Sequence, residues 1–260
     1  TDNIALQIRI HKMKNVGFLG CGKIGRTMMD DIIENGVHKV VFVQDPFYTA
    51  ENASYEITKK AGEELLSKTD LVIEAAMASV LKENFDDIIK YCDLMVFSVT
   101  AFSDDEFYKH AVEMAKKYKR TIYLPHGAIL GVDGIADGRA IIKNVTIVTT
   151  KSPKSLGLDS DKLEVVYEGS TRGACSAFPR NVNVHATVAL AGIGFDRTCS
   201  KIIADPSVNT NAHVIHVEGE GIDFEIHVSS TAGGAVTGKY TPYSAVASMH
   251  KVLGDHTEFR

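Results

Sequence analysis

The chain reads as an α/β protein: an N-terminal Rossmann-type parallel sheet followed by a C-terminal mixed α+β unit. Three observations predict this. A glycine-rich turn, VGFLGCGKIG (16–25), sits between a short apolar run and a helical pattern. Apolar runs and helical patterns then alternate to about Leu124, the signature of parallel strands joined by crossover helices. After Gly138 the texture changes to longer runs in which apolar and polar residues alternate, as in a sheet covered on one face.

The elements follow in order. Val16 to Leu19 form a buried strand, and KIGRTMMDDIIENG continues as a helix that stops at Asn35-Gly36. Gly20, Gly22 and Gly25 have the spacing GxGxxG. The first allows a tight turn, the second lets backbone approach a pyrophosphate, and the third lets helix and strand pack closely. Lys23 and Ile24 open the helix, whose unpaired N–H groups and partial positive charge suit a phosphate. VVFVQD (40–45) is the second strand. Its terminal Asp45 lies twenty residues past Gly25, where a carboxylate can accept from adenosine ribose hydroxyls. No Arg or Lys occurs between Pro46 and Thr58 to welcome a 2′-phosphate, so NAD is expected over NADP, with NADP still possible.

DLVIEAA (70–76) and DLMVFSV (93–99) are further buried strands, the first followed by a helix to about Lys90. Ser103 is the expected N-cap of an acidic-fronted helix, and TIYLP (121–125) closes this half. Ligands in such sheets lie beyond the carboxyl ends of the strands. That singles out Glu74-Ala75-Ala76, Ser98 to Ala101, and Pro125-His126-Gly127-Ala128. In the second half, 141–150 and 163–170 read as antiparallel strands, 181–192 as an apolar helix, and CSKIIAD, HVIHVEGE and IDFEIHVSS as more strands. Gly233-Gly234 is expected in a loop, and a last helix runs from Tyr243 to Leu253. The division is 1–135 for dinucleotide binding and 136–239 for substrate and catalysis, with a terminal helix in 240–260 able to return to the first unit.

Bulk properties exclude several classes. The formal charge of −5, without a basic run, argues against a nucleic-acid surface. No apolar stretch approaches the roughly 18 residues of a membrane span, and TDNIALQIRIHKMK lacks the pattern of a secretory signal, reading instead as an edge strand or tail. Cys21, Cys92, Cys175 and Cys199 are scattered, which points to a reducing cytoplasm and no structural metal. Cys21, within the glycine loop, reads first as a small residue that fits.

Oxidation beside an OH or NH₂ group calls for a proton acceptor, and histidine is suited to that near neutrality. Of ten histidines, His11, His38, His110, His250 and His256 read as surface residues, and His216 and His227 as solvent-facing strand residues. His126, His185 and His213 remain. Spacing alone ranks His126 and His213 equally.

Three segments, LPHGAILGVDGI (124–135), EGSTRGACSAFPRNVNVHATVALAGIGFDRT (168–198) and ADPSVNTNAHVIHVEGEG (204–221), resemble the L-aspartate dehydrogenase family. The likeness runs over nearly all of the chain from Val16. It implies an NAD(P)-binding first domain, a C-terminal substrate and dimerisation domain, and a homodimer. It also implies NAD-dependent oxidative deamination of L-aspartate to iminoaspartate, then oxaloacetate and ammonia. The family's catalytic histidine falls on His213. Its nicotinamide-side contacts fall on Ala128 and Asn183, with Ala75 beside the cofactor. His126, Asn181 and His185 are candidate substrate contacts, and Arg172, Arg180 and Lys239 are nearby cations. Two positions depart from the family's usual residues: His126 replaces a small polar residue and His185 an alanine. AVTGKYTPYS (235–244) matches the corresponding family segment only loosely. These departures leave open a dehydrogenase or imine reductase for another small or dicarboxylic amino acid. An NAD-sensing module without turnover is the alternative from a different class.

Overall fold

The computed structural model describes residues 12–231 and 238–255. Its first half alternates β1 (Asn15–Leu19), α1 (Lys23–Asn35), β2 (Lys39–Gln44), β3 (Glu56–Thr58), α2 (Glu63–Leu66), β4 (Leu71–Glu74), α3 (Ala78–Tyr91), β5 (Asp93–Val96), α4 (Asp105–Tyr118) and β6 (Ile122–Tyr123). All six strands are parallel in the order β3-β2-β1-β4-β5-β6. The order reverses between β1 and β4, which opens a crevice above their carboxyl ends. Val16, Phe18, Val72 and Ile73 are fully buried, as expected of strands covered on both faces.

Several boundaries differ from the sequence reading for identifiable reasons. β5 ends at Val96, because Phe97 and Ser98 donate their N–H groups to the buried Glu74 carboxylate and Val99–Ser103 curl into a 3₁₀ turn. The N-cap of α4 is Asp104, not Ser103. Asp104 accepts from the N–H groups of Glu106 and Phe107, while the Ser103 hydroxyl is spent on the Thr100 carbonyl. α1 does stop at Gly36, in the left-handed conformation.

The second half comprises α5 (Val132–Asp137), β7 (Ile142–Lys151), α6 (Pro153–Leu156), β8 (Glu164–Ser170), α7 (Thr171–Ala177), α8 (Asn183–Ala191), β9 (Cys199–Ala204), β10 (Thr210–Gly219), β11 (Ile222–Thr231) and α9 (Tyr240–Leu253). Its sheet has the order β11-β10-β7-β9-β8. β7 and β9 are parallel and the other pairs antiparallel, so β7 and β8 are not paired with each other but flank β9. Ile147, Ile215 and Ile202 of this sheet point inward, and Val188 and Ala189 of α8 are buried in the same half.

Ile135 of α5 and Ile129 before it are buried with Ile147 and Ile215, so the second core takes in residues ahead of 136. The last helix returns to the first half: Ala245, Met249 and Leu253 are buried against Met28, Met29 and Ile32 of α1. It starts at Tyr240, earlier than Tyr243, because Pro242 lies in its first turn, where a missing N–H costs no hydrogen bond. The expectations for the N-terminal segment through His11, for Gly233-Gly234 and for His256 lie outside the described residues.

Candidate active site

The turn from β1 into α1 has the geometry that dinucleotide binding requires. Gly20 has φ of 90°, and a Cβ there would lie 2.8 Å from that of Ala76. A Cβ on Gly25 would overlap the Gly20 carbonyl oxygen. Gly22, by contrast, faces open space, and no side chain caps the start of α1. The turn is thus a cradle of backbone that a phosphate can approach. Lys23 and Ile24 form the first turn of α1 beside it.

Asp45 follows β2. Its carboxylate accepts from the N–H of Cys21 (2.8 Å) and of Phe47 (2.8 Å), holding the glycine turn while standing at its edge. Burial, then the Asp45 charge, push the Cys21 thiol up to about 11, so it is an unreactive filler. The stretch 46–58 carries no cation, but a helix outside it supplies one. Arg26 of α1 lies 5.6 Å above the Tyr48 ring, brought there by the fold.

A cleft of about 950 Å³, its open mouth included, joins the crevice to the second sheet. Ile24, Ala75, Ala128, Asn181, Asn183, His126 and His213 all line it, together with Ser98, Lys151, Arg180 and Asn211. Under its floor Glu74 is fully buried. It accepts from the Ser98 hydroxyl (2.7 Å) and N–H and from the Ala76 N–H (2.8 Å), tying the loops after β4 and β5 together. Burial raises its pKa, against which these hydrogen bonds act.

The polar groups of the cleft are aimed by their partners. Asn183 Oδ1 accepts from the Thr100 N–H at 3.1 Å, which leaves its NH₂ as a donor. Asn181 Oδ1 is buried without a hydrogen-bond partner, an acceptor awaiting a donor. His126 Nδ1 lies 2.7 Å from the Ile129 carbonyl oxygen. A carbonyl only accepts, so in the neutral ring that nitrogen carries the proton. Ser244 of α9 donates to the Gly127 carbonyl at 2.6 Å and pins the loop that carries Ala128.

His213, on the inward face of β10, is 3% exposed. Its Nδ1 is 2.8 Å from Thr149 Oγ1, directly across on β7. Burial, and then the neighbouring Lys151 cation, lower its pKa to about 3, so it is a neutral base at pH 7. Lys151, two residues along β7, is 4% exposed, and its ammonium makes no hydrogen bond or ion pair among the described residues. Burial brings its pKa down to about 8. Nothing in the sequence distinguished it from a solvated strand-end lysine. Only the strand register places it on the inward face with Thr149 and His213.

His185 does not reach the cleft. It is fully buried on α8 behind Thr149, bonded at both nitrogens, so its candidacy as a substrate contact is withdrawn. Arg172 is likewise occupied, by Asp196, Asp105 and the Ser103 carbonyl, and Lys239 is exposed at the start of α9. Arg180 alone of the three lines the cleft. His38 and His250 are not surface residues: they share the Asp255 carboxylate at 2.8 and 2.9 Å, and His250 also reaches Asp31. His216 and His227 are exposed and flank Glu225, as strand alternation suggests. No group of three or more His, Cys, Asp or Glu residues able to hold a metal occurs among the described residues.

A parallel sheet of this order, a glycine turn open to phosphate, and a cleft pairing backbone cradle with neutral histidine define an NAD(P)-dependent dehydrogenase. The comparisons agree. The family model for the NAD-binding domain of homoserine dehydrogenase matches residues 20–125, and that for the C-terminal part of aspartate dehydrogenase matches 133–252. L-aspartate dehydrogenase of Methanosarcina mazei is 34% identical over 93% of this chain and 97% of its own. That of Nitrosopumilus maritimus is 32% identical over 94% and 98%. The crystal structure of aspartate dehydrogenase from Thermotoga maritima superposes with a TM-score of 0.78 at 27% identity, covering 96% of this chain and 99% of the other. The chain belongs to the aspartate dehydrogenase family.

Proposed function

We propose that this protein oxidises L-aspartate with NAD, releasing iminoaspartate that hydrolyses to oxaloacetate and ammonia, and that it runs the reverse amination. Beyond family membership, one observation supports the reading: a neutral buried histidine and a buried lysine without a counter-ion share one cleft with the cofactor crevice. A dicarboxylate supplies the charge that Lys151 lacks. Arg180, at the mouth, is placed for the second carboxylate.

The residues present fit the cofactor. The open face at Gly22 and the start of α1 would take its pyrophosphate, and Asp45 its adenosine ribose. Ala75 and Ala128 would border its nicotinamide ring, whose carboxamide suits the Asn183 NH₂. When bound, NAD supplies the acceptor for the hydride that leaves the α-carbon of aspartate. The chain's own residues do the rest. Lys151 holds a carboxylate, and the buried oxygen of Asn181 takes a hydrogen bond from the substrate amine. His213 Nε2 then accepts a proton from the water that adds to the imine carbon, and returns it to the departing nitrogen. In this reading His126 orients substrate without relaying protons.

Oxidation rates across an amino-acid panel test the substrate. L-aspartate is expected to lead, and preference for another small or dicarboxylic amino acid would move the assignment to the open alternative. Cofactor preference is a separate prediction. Asp45→Ala removes a charged acceptor worth about 1.5–3 kcal/mol per hydrogen bond, while Arg26 stays. The NAD-to-NADP ratio of kcat/KM is expected to fall about 10- to 100-fold. An unchanged ratio would exclude Asp45 from ribose recognition.

The same reading carries a homodimer in the cytoplasm. Among the described residues no helix is long and apolar enough to cross a membrane, and Leu163, Val165 and Ile222 are exposed apolar residues at the second sheet. Light scattering should give twice the chain mass.

A further inference from the structure

The inward face of the second sheet carries a buried row of hydrogen-bonding groups running from His213 away from the cleft. Thr149 Oγ1 is 2.8 Å from His213 Nδ1 and 2.7 Å from His185 Nε2. His185 Nδ1 is 2.8 Å from Ser200 Oγ, which is 2.7 Å from Thr171 Oγ1. Thr171 Oγ1 ends the row 3.1 Å from the Thr198 carbonyl oxygen. His185, Thr171 and Ser200 are fully buried and Thr149 is 1% exposed, so water cannot stand in for a missing partner.

Each hydroxyl has one hydrogen, and each neutral imidazole has one N–H and one lone pair. Burial holds His185 well below the usual histidine range and His213 at about 3, so both rings are neutral near pH 7. The row can then run in only two directions. In one, Thr171 donates to the Thr198 carbonyl and accepts from Ser200; Ser200 accepts from His185 Nδ1–H; Thr149 donates to His185 Nε2 and accepts from His213 Nδ1–H. Every contact is then a hydrogen bond. In the other, Thr171 donates to Ser200 and all later bonds reverse. The Thr171 and Thr198 oxygens then face each other at 3.1 Å with no hydrogen between them. The carbonyl at the far end therefore selects the first direction, which makes one hydrogen bond more.

We infer that this row is a tautomer lock: Thr149, His185, Ser200 and Thr171 hold His213 with its proton on Nδ1 and its Nε2 lone pair available to the cleft. They are positioning residues, acting through His213, and their catalytic consequence rests on reading His213 as the general base. The row does not relay protons onward, because it ends at a carbonyl that has nowhere to pass one. It also gives His185, which cannot touch substrate, a defined task.

The test combines imidazole ¹⁵N NMR with kinetics. In the intact protein both His213 and His185 are expected as the Nδ1–H tautomer, whereas free neutral histidine favours Nε2–H. Thr149→Val removes the acceptor for Nδ1–H, so His213 should turn to the Nε2–H form. In that variant kcat should fall by about 10²–10⁴-fold, the range of a lost general base, with little change in KM. Thr149→Ser should restore both the tautomer and most of the turnover. Thr171→Val touches neither imidazole, yet should shift His213 toward Nε2–H by removing the end that sets direction. An Nε2–H form of His213 in the intact protein, or an unmoved Nδ1–H form in Thr149→Val and Thr171→Val, would overturn the lock. The NMR readout does not depend on catalysis. If the tautomers behave as stated while His213→Ala keeps its kcat, the lock stands and the general-base assignment falls.

Discussion

Replacing Lys151 by methionine is expected to raise KM for aspartate steeply while making the protein more stable. Truncating one partner of a buried charge pair typically costs about 2–5 kcal/mol, which is roughly 30- to several-thousand-fold in kcat/KM. Methionine fills a similar volume without the charge. In the ligand-free protein the charge is a liability, since burial takes the Lys151 pKa from 10.5 to about 8. That shift corresponds to about 3 kcal/mol of destabilisation at pH values below 8, by the relation of about 1.36 kcal/mol per unit.

The sign of the pH dependence follows from this shift. Between about pH 8 and 10.5 the unfolded chain holds the lysine proton and the folded chain does not. Raising pH through that window therefore recovers stability from this group. Lys151→Met should be more stable than the parent below pH 8, with the difference shrinking toward pH 10.5. Denaturant titrations of both proteins across this range measure it. A destabilised Lys151→Met with unchanged KM would mean that the side chain is structural filling with no role toward a carboxylate.

His213→Ala should lose about 10²–10⁴-fold in kcat and leave NADH and aspartate binding largely intact. Its base is weak in the empty cleft because burial and Lys151 both disfavour the imidazolium. A dicarboxylate substrate offsets the Lys151 charge and so relieves the smaller of these two effects, while burial still holds the pKa down. His126→Ala, at the other imidazole of the cleft, should keep most turnover. A variant pair with the opposite pattern would exchange their roles.

Much of the first half was legible because its physics is local. A strand, GxGxxG and a helix fall within about twenty residues, and Gly36 and Asp45 stand at the ends of their elements. Element ends were misjudged where a distant group decides them: the strand at 93–99 is cut short by Glu74, from another strand. The candidate site was legible to the extent that strand-end loops and the segment around His213 could be named. Lys151 and Thr149 were not. Their meaning depends on β7 pairing with β10 over more than sixty residues of chain, a register that no local pattern encodes. His185 was singled out as unusual but misplaced, since its position on an apolar helix does not say whether that face meets the cleft or the core. His38 and His250 read as surface residues because each has a partner at the opposite end of the sequence, Asp255 for His38 and Asp31 for His250.

Amination of oxaloacetate and its reverse, deamination of aspartate, are the reactions proposed for this cleft. Loss of nicotinamide absorbance from NADH tests them most directly, with oxaloacetate, pyruvate or 2-oxoglutarate added in turn, each with and without ammonia. Oxidation of NADH is expected to require ammonia and to be fast only with oxaloacetate. Oxidation that proceeds equally without ammonia would make this a hydroxy-acid enzyme, and no oxidation with any of the three would contradict the proposed reaction.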